Sequence, residues 1–288
     1  MPLTAIFGDV HGCADEFSSL LHELDLQPGD RLISVGDLIK KGPDSAAVIR
    51  RFRAEAERGI SIAHVLGNHE AHLRQIRGDA KLPRDLQKLV DSIPPQDLDW
   101  LLDAPLHLEL PEFGARILHG GVLPSWRDLP PADFDLARQI DPQRGDELVR
   151  ARCVSAPGNR RSVTRISPNG KVSKSLRLPL DAPLPKAPEG GTLEVEEVEV
   201  EVGSFLGLRE IGSSDPNWPD LYDGRFGHIY FGHQPFLTAQ HPAQFPHATG
   251  LDLGCVYGGF LAAIVLEADR APREVLVRAL QEYSRWGF

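Results

Sequence analysis

The chain has 288 residues, 41% of them hydrophobic and 25% charged, an ordinary globular composition that excludes collagen-like, low-complexity and disordered classes. Its formal net charge is −10, from 31 Lys and Arg against 41 Asp and Glu, which argues against a general nucleic-acid binder, because phosphate backbones are held by net basic surfaces. No apolar run approaches the ~18 residues of a membrane-spanning helix, and Met1 to Phe7 lacks the basic and long apolar regions of a signal peptide, so cytoplasm is the expected location.

Strand and helix signals alternate along the first third. Leu3 to Phe7 reads as a buried strand, Ala14 to Leu24 as a helix and Arg31 to Val35 as a second strand. A helix follows from Asp44, a good N-cap, to about Glu57, and Ser61 to Leu66 is a third strand. This order predicts βαβ units and a mostly parallel, buried sheet, an α/β fold. Residues 80–104 read as helical, with Trp100, Leu101 and Leu102 for the core, and Leu106–Leu110 with Ala115–Leu118 as a hairpin. Proline-rich stretches at 124–131, 179–188 and 215–219 bracket a middle region of poor periodicity. It reads as a cap over 126–219, inserted between core segments 1–125 and 220–288. Within it Thr192–Val202 alternates Val and Glu as a half-exposed strand. Phe226–Phe231, Gly250–Leu253 and Phe260–Leu266 return to strand character.

Five short motifs fall where strands should end: Gly8-Asp9-Val10-His11-Gly12, Gly36-Asp37-Leu38, Gly67-Asn68-His69-Glu70, His119-Gly120-Gly121 and Gly232-His233-Gln234. In open α/β sheets ligands collect beyond the strand C-termini. If the three N-terminal strands are parallel neighbours, Asp9, Asp37 and Asn68 converge there. Two Asp, three His (His11, His119, His233) and one Asn offer hard oxygen and imidazole nitrogen without thiolate, a set suited to Mn²⁺, Fe or Zn²⁺. Six ligands are too many for one catalytic ion that keeps an open position. They suit two ions ~3.5–4 Å apart that share a carboxylate, lower the pKa of a shared water and clamp a phosphoryl group. Taken singly, each motif could be a simple strand-end turn or a packed histidine; it is their co-occurrence in order that points to a metal centre.

These motifs, with the third extended to Val65–Leu73 and with Leu251-Asp252-Leu253-Gly254-Cys255-Val256-Tyr257-Gly258-Gly259 near the end, resemble the calcineurin-like metallophosphoesterases, in their phosphoprotein-phosphatase branch. The closest resemblance is to symmetrical diadenosine tetraphosphatases and ApaH-like phosphatases. It covers most of residues 1–125 and 225–268. It implies a sandwich of central β-sheets flanked by helices with an inserted cap. It implies Asp9 and His11 on the first metal, Asp37 bridging, and Asn68, His119 and His233 completing the second. His69 would sit beside the phosphate, as general acid or electrophilic stabiliser, and Asn68 would touch a phosphate oxygen. The implied cofactor is a pair of divalent ions, Mn²⁺ first, with Fe, Zn²⁺, Co²⁺ and Mg²⁺ as alternatives.

One departure stands out. Protein phosphatases of this branch carry Asp-Arg where this chain has Lys40-Lys41. Lys41 can meet phosphate as a point charge, but Lys40 only donates and cannot orient His69 as an acceptor would. Either another group holds His69 or its pKa is lower than in those relatives.

From Arg150 to Arg177 run eight basic residues and no acidic one. A phosphate-facing role is expected for this segment, with Arg165 and Arg161 as the candidates and Tyr257 as a stacking or hydrogen-bonding residue. The expected partner is a small, highly anionic phosphorylated substrate, with no membrane and no long nucleic acid, a capped RNA 5′ end being the exception. Diadenosine tetraphosphate leads; a Ser/Thr phosphoprotein phosphatase and a catalytically silent nucleotide- or RNA-binding module are the alternatives. Cys13, Cys153 and Cys255 are too scattered for a disulfide framework or zinc site, and His64 reads as a packing residue.

Overall fold

The computed structural model describes residues 2–78, 81–124, 126, 148–156, 158–173, 175–200, 206, 210–212 and 215–286. Lys174 of the basic run, Val202 and most of the 124–131 connector lie outside them. No helix among the described residues is long and apolar enough to cross a membrane.

The chain divides into two compact units: Met1–Gly121 with Leu148–Arg150 and Gly224–Phe288, and Val122–Glu147 with Ala151–Asp223. In the first unit, β1 (Thr4–Phe7), β2 (Arg31–Ser34) and β3 (Ser61–His64) are joined by α1 (Ala14–Leu24) and α2 (Ser45–Glu57) and pair in parallel. Asp44 caps α2, its Oδ1 accepting the Ala47 amide at 2.8 Å. These three strands are parallel as expected, and the sandwich of sheets implied by the resemblance is present, but the first sheet is not parallel throughout. β13 (Phe260–Leu266) runs antiparallel to β1, and β12 (Asp252–Leu253) and β14 (Arg273–Arg278) pair antiparallel to β13, so the sheet is mixed. A second sheet orders β10 (Ala243–Phe245), β11 (Ala248–Gly250), β9 (His228–Phe231), β5 (Ala115–Leu118) and β4 (His107–Leu110). The sequence shows strands but not their direction, and a late strand returning beside β1 leaves no local signal.

Alternation along the strands builds two layers of core. Ala5, Phe7, Leu32, Leu261, Ala263 and Val265 pack with Phe17, Leu20 and Phe52 of α1 and α2. Ile6, Ile33, Ile264 and Leu266 point the other way, onto Leu110, Ala115, Ile117 and Tyr230 of the second sheet. The helical stretch expected over 80–104 is two helices, α4 (Arg84–Ser92) and α5 (Pro95–Leu102), after α3 (Asn68–Ile76). Pro94 and Pro95 separate them, because a proline removes an amide and disfavours helix in the residue before it.

The second unit carries a three-stranded antiparallel sheet, β7 (Leu176–Pro179), β6 (Gly158–Ile166) and β8 (Thr192–Val200). β6 and β7 fall in the region of poor periodicity. Their strand character was masked because β6 buries only Arg160 and Val163 among otherwise half-buried or exposed residues. Arg160 is buried in an ion pair with Asp215 and donates to the Glu210 carbonyl at 2.6 Å.

His64 is a packing residue, as its strand position implied. Its ring lies 4.3 Å from that of Trp100, and its Nε2–H donates to the Leu101 carbonyl at 3.0 Å. Burial pushes its imidazole down to about 4. The unfolded chain, with histidine near 6.5, therefore takes up a proton that the folded chain refuses. Stability is complete above about pH 6.5 and falls toward pH 4 by up to ~3 kcal/mol. Denaturant unfolding of wild type and His64→Phe between pH 7 and 5 checks this. A smaller pH slope in the variant is expected, and equal slopes contradict it.

Candidate metal centre

All five motifs follow the C-terminal ends of parallel strands in the first unit: β1, β2 and β3 in one sheet, β5 and β9 in the other. The backbone turns sharply there. His11, Asp37, Lys40, Lys41 and His233 have φ of 50°, 52°, 73°, 66° and 66°, a region that non-glycine residues occupy rarely and at a cost of order 1–3 kcal/mol each. Such strain persists only where surrounding structure imposes it. The glycines do part of this. A Cβ on Gly36 would lie 2.6 Å from the Gly67 amide and 2.9 Å from His119 Nδ1, and one on Gly67 would lie 2.6 Å from Glu70 Oε2. Only glycine lets these loops approach so closely.

Hydrogen bonds on the far side of each ring fix the histidine tautomers. His119 Nδ1–H donates to the Val35 carbonyl at 2.9 Å and His11 Nδ1–H to the Ile39 carbonyl at 3.2 Å. Each Nε2 is then a bare lone pair directed inward. His233 Nε2–H donates to the Arg150 carbonyl at 3.1 Å, which leaves Nδ1 as its inward lone pair. Facing the His119 and His233 nitrogens are oxygens that also only accept. Asn68 Oδ1 is 2.7 Å from His233 Nδ1 and 3.2 Å from His119 Nε2, and Asp37 Oδ2 is 3.4 Å from His119 Nε2.

Acceptors opposing acceptors with no proton between them are repulsive unless a cation lies among them. Donors bound to one ion at about 2.1 Å sit about 3.0 Å apart in octahedral and about 3.4 Å apart in tetrahedral geometry. The observed separations match, so the residues fit a divalent ion. Two groups of donor atoms form, each within 4.8 Å: His11, Asp37 and His69, and Asp37, His119 and His233. Asp37 belongs to both.

On the first side, His11 Nε2 lies 3.5 Å from Asp37 Oδ2 and 3.8 Å from Asp9 Oδ2. The Asp9 carboxylate also accepts the His233 amide at 3.1 Å. Burial, then the neighbouring Asp252 and Asp37 carboxylates, push the Asp9 carboxyl well above its usual range, the stress that a bound cation relieves. Lys41 Nζ donates to His11 Nε2 at 3.0 Å and lies 5.2 Å from the centre of the Tyr257 ring.

His69 is held by Asp37: its amide donates to Asp37 Oδ1 at 3.0 Å, and its Nε2 is 3.9 Å from Oδ2. Burial, against the pull of Asp37 and with Lys41 and Lys40 adding to it, lowers the imidazole to about 4. Asp37 thus anchors the His69 backbone where an acceptor at position 40 is missing.

Two residues within the quoted motifs, Glu70 and Asp252, shape the site although no sequence signal assigns them a task. Glu70 is fully buried and accepts the Asp37 amide through Oε2 and the Ile39 amide through Oε1, both at 3.1 Å. It thus staples the strained loop that carries Asp37. Asp252 is buried and accepts the Gly254 amide at 2.9 Å. Only long-range pairing shows that Glu70 reaches the loop of another motif. Glu70→Gln keeps one acceptor but turns an N–H toward an N–H. It is expected to lower metal affinity ~10–100-fold, the usual effect of losing a residue that orients a ligand. Calorimetric titration with Mn²⁺ checks this, and unchanged affinity contradicts it.

The remaining candidates divide. Tyr257 borders Lys41 and packs against Trp286 at 5.1 Å. Arg161 and Arg165 lie on β6 of the second unit. Arg161 gives its guanidinium to the carbonyls of Pro179 and Ala182. The basic run is also less isolated than its sequence implies, because β6 pairs with the glutamate-rich β8, Arg161 opposite Glu197 and Thr164 opposite Glu194.

Comparisons with known proteins bear on the family and the fold. The calcineurin-like phosphoesterase family profile matches residues 3–169, more than half the chain. Proteins named symmetrical bis(5′-nucleosyl)-tetraphosphatase from Shewanella baltica and Shewanella putrefaciens are 40% identical over 124 residues, 41% of this chain and 44% of theirs. The match thus spans less than half the length of these curated relatives. A crystal structure of a provisionally assigned diadenosine tetraphosphatase superposes with a TM-score of 0.61 at 25% identity, over 96% of each chain. A serine/threonine phosphatase from Saccharomyces cerevisiae shares the fold, with a TM-score of 0.56 at 17% identity over 97% of this chain and 81% of that one. With its profile match and its fold, and with a donor set suited to divalent metal, the chain belongs to the calcineurin-like phosphoesterase family.

Proposed function

We propose that this chain hydrolyses nucleoside polyphosphates at a two-metal centre, with diadenosine tetraphosphate as lead substrate, cut symmetrically to two ADP, and Mn²⁺ as the preferred ion. The observation that carries the metal-dependent reading is the sharing of Asp37 by two donor groups. The relatives' names support the substrate. So does Lys41, whose ammonium stands at the edge of the donor cluster as a point charge for phosphate.

In this reading Asp9 and His11 hold one ion, Asn68, His119 and His233 the other, and Asp37 both. The ions would supply Lewis-acid stabilisation of the phosphoryl oxygens and an acidified water. The protein supplies the rest. The Val35, Ile39 and Arg150 carbonyls keep the ligand tautomers fixed before substrate arrives. His69, neutral at pH 7 because burial holds its pKa near 4, carries a ring N–H that can donate to the phosphoryl or leaving oxygen. A neutral imidazole acts there as an electrophile, stabilising developing negative charge without a change of its own ionisation. Lys41 adds a positive charge on the same side.

Incubation of the Mn²⁺-loaded chain with diadenosine tetraphosphate, with products resolved by ion-exchange chromatography, tests the proposal. ADP as the sole nucleotide product is expected. A mixture of ATP and AMP contradicts symmetrical cleavage, and no turnover with any of the five metals contradicts the substrate. A phosphopeptide preferred over the dinucleotide would transfer the assignment to phosphoprotein phosphatases.

A further inference from the structure

The donor cluster gives Lys41 a role but leaves the lysines beside it without one. The loop after β2 carries Lys40 and Lys41 at consecutive positive-φ positions and forms one wall of a cleft of about 340 Å³. Lys88, from α4, also lines it. Neither Lys40 nor Lys88 has an ion-pair partner among the described residues, and both side chains are at least partly exposed. The acidic lining is Asp44 and Asp85, and Asp44 already accepts the Ala47 amide as the cap of α2. Three ammonium groups against two carboxylates leave this cleft positive on a chain whose net charge is −10. Unpaired cations gathered on one concave surface of an acidic protein mark a place for an anion.

The cleft is continuous with the metal centre through one side chain. Lys41 lines it and also reaches His11 Nε2, at 3.0 Å. A phosphoryl group held at the donor cluster therefore has a path, along Lys41, to Lys40 and Lys88. A phosphate monoester has no further charge to place there, whereas a polyphosphate chain does. We propose that this lysine cleft is a second phosphate subsite, which holds the portion of a polyphosphate substrate lying beyond the phosphoryl group at the metal centre. The inference rests on the polyphosphate reading above, but on the phosphate chain alone and not on the nucleoside or the position of the cut.

Lys88 is exposed on α4 and is not part of the metal cluster, so it separates the subsite from the chemistry. The Mn²⁺-loaded full chain is titrated calorimetrically with inorganic tripolyphosphate and with orthophosphate, in wild type, Lys88→Glu and Lys88→Arg. Lys88→Glu is expected to weaken tripolyphosphate at least ~10-fold, the scale of a lost charge-assisted contact plus a like-charge clash. It should leave orthophosphate and 4-nitrophenyl phosphate turnover within about twofold, and Lys88→Arg should restore tripolyphosphate binding. Tripolyphosphate affinity unchanged in Lys88→Glu, or orthophosphate weakened equally, overturns the proposal. A wild-type chain that leaves diadenosine tetraphosphate intact overturns the substrate reading alone, and the tripolyphosphate comparison still decides the cleft.

Discussion

Asp37→Asn is expected to lower kcat/KM for phosphate hydrolysis by ~10³-fold or more and to reduce bound metal from two ions to at most one. The side chain is buried, and one oxygen, Oδ2, lies 3.5 Å from His11 Nε2 and 3.4 Å from His119 Nε2. The other accepts the His69 amide. An amide in its place is neutral, and either its oxygen or its nitrogen must face the imidazole lone pairs. The loss of several kcal/mol of transition-state charge stabilisation that a metal pair provides corresponds to this factor. Loss of fold is a separate outcome, read by circular dichroism, because removing a buried carboxylate alters the field of the surrounding rings. A folded variant that keeps two ions and full activity would show that Asp37 is not the shared ligand.

His69→Ala is expected to slow kcat by ~10²–10⁴-fold, the usual range for a group that helps a proton or charge at the reacting atoms, while both metal ions stay bound. The second half of this expectation is the sharper one. His69 Nε2 falls within the same donor group as His11 and Asp37, so geometry alone would admit it as a ligand in place of Asp9. Loss of one ion in His69→Ala, with Asp9→Asn retaining both, would exchange the two roles. Retained metals with kcat unchanged would remove His69 from the chemistry altogether. Because burial holds its imidazole to about 4, a profile of kcat against pH in the wild type should show no His69 ionisation between pH 5 and 9.

Much of this site is legible in the sequence, and the reason is physical. A metal ligand at a strand end needs a turn directly after the strand, and turns of this kind need glycine at fixed places. Gly36 and Gly67 are therefore visible as spelling before their close approach is seen in space. Helices α1 and α2 are also legible, from apolar spacing and from the Asp44 cap. What the sequence hides is long-range. That β13 returns antiparallel beside β1, that Glu70 reaches back to the Asp37 and Ile39 amides, and that α4 brings Lys88 to the cleft that Lys40 lines all depend on contacts between distant segments. The basic segment shows the same limit in reverse. Arg150–Arg177 has no acidic residue in line, yet β8 sets Glu194, Glu196 and Glu197 across the ladder from β6.

Anomalous scattering from crystals grown with Mn²⁺ tests the central claim most directly. Two peaks about 3.5–4 Å apart, one on each side of the Asp37 carboxylate and in contact with His11 and with His119 and His233 respectively, are the result this account predicts. A single peak, or peaks that leave Asp37 uncoordinated, would contradict it.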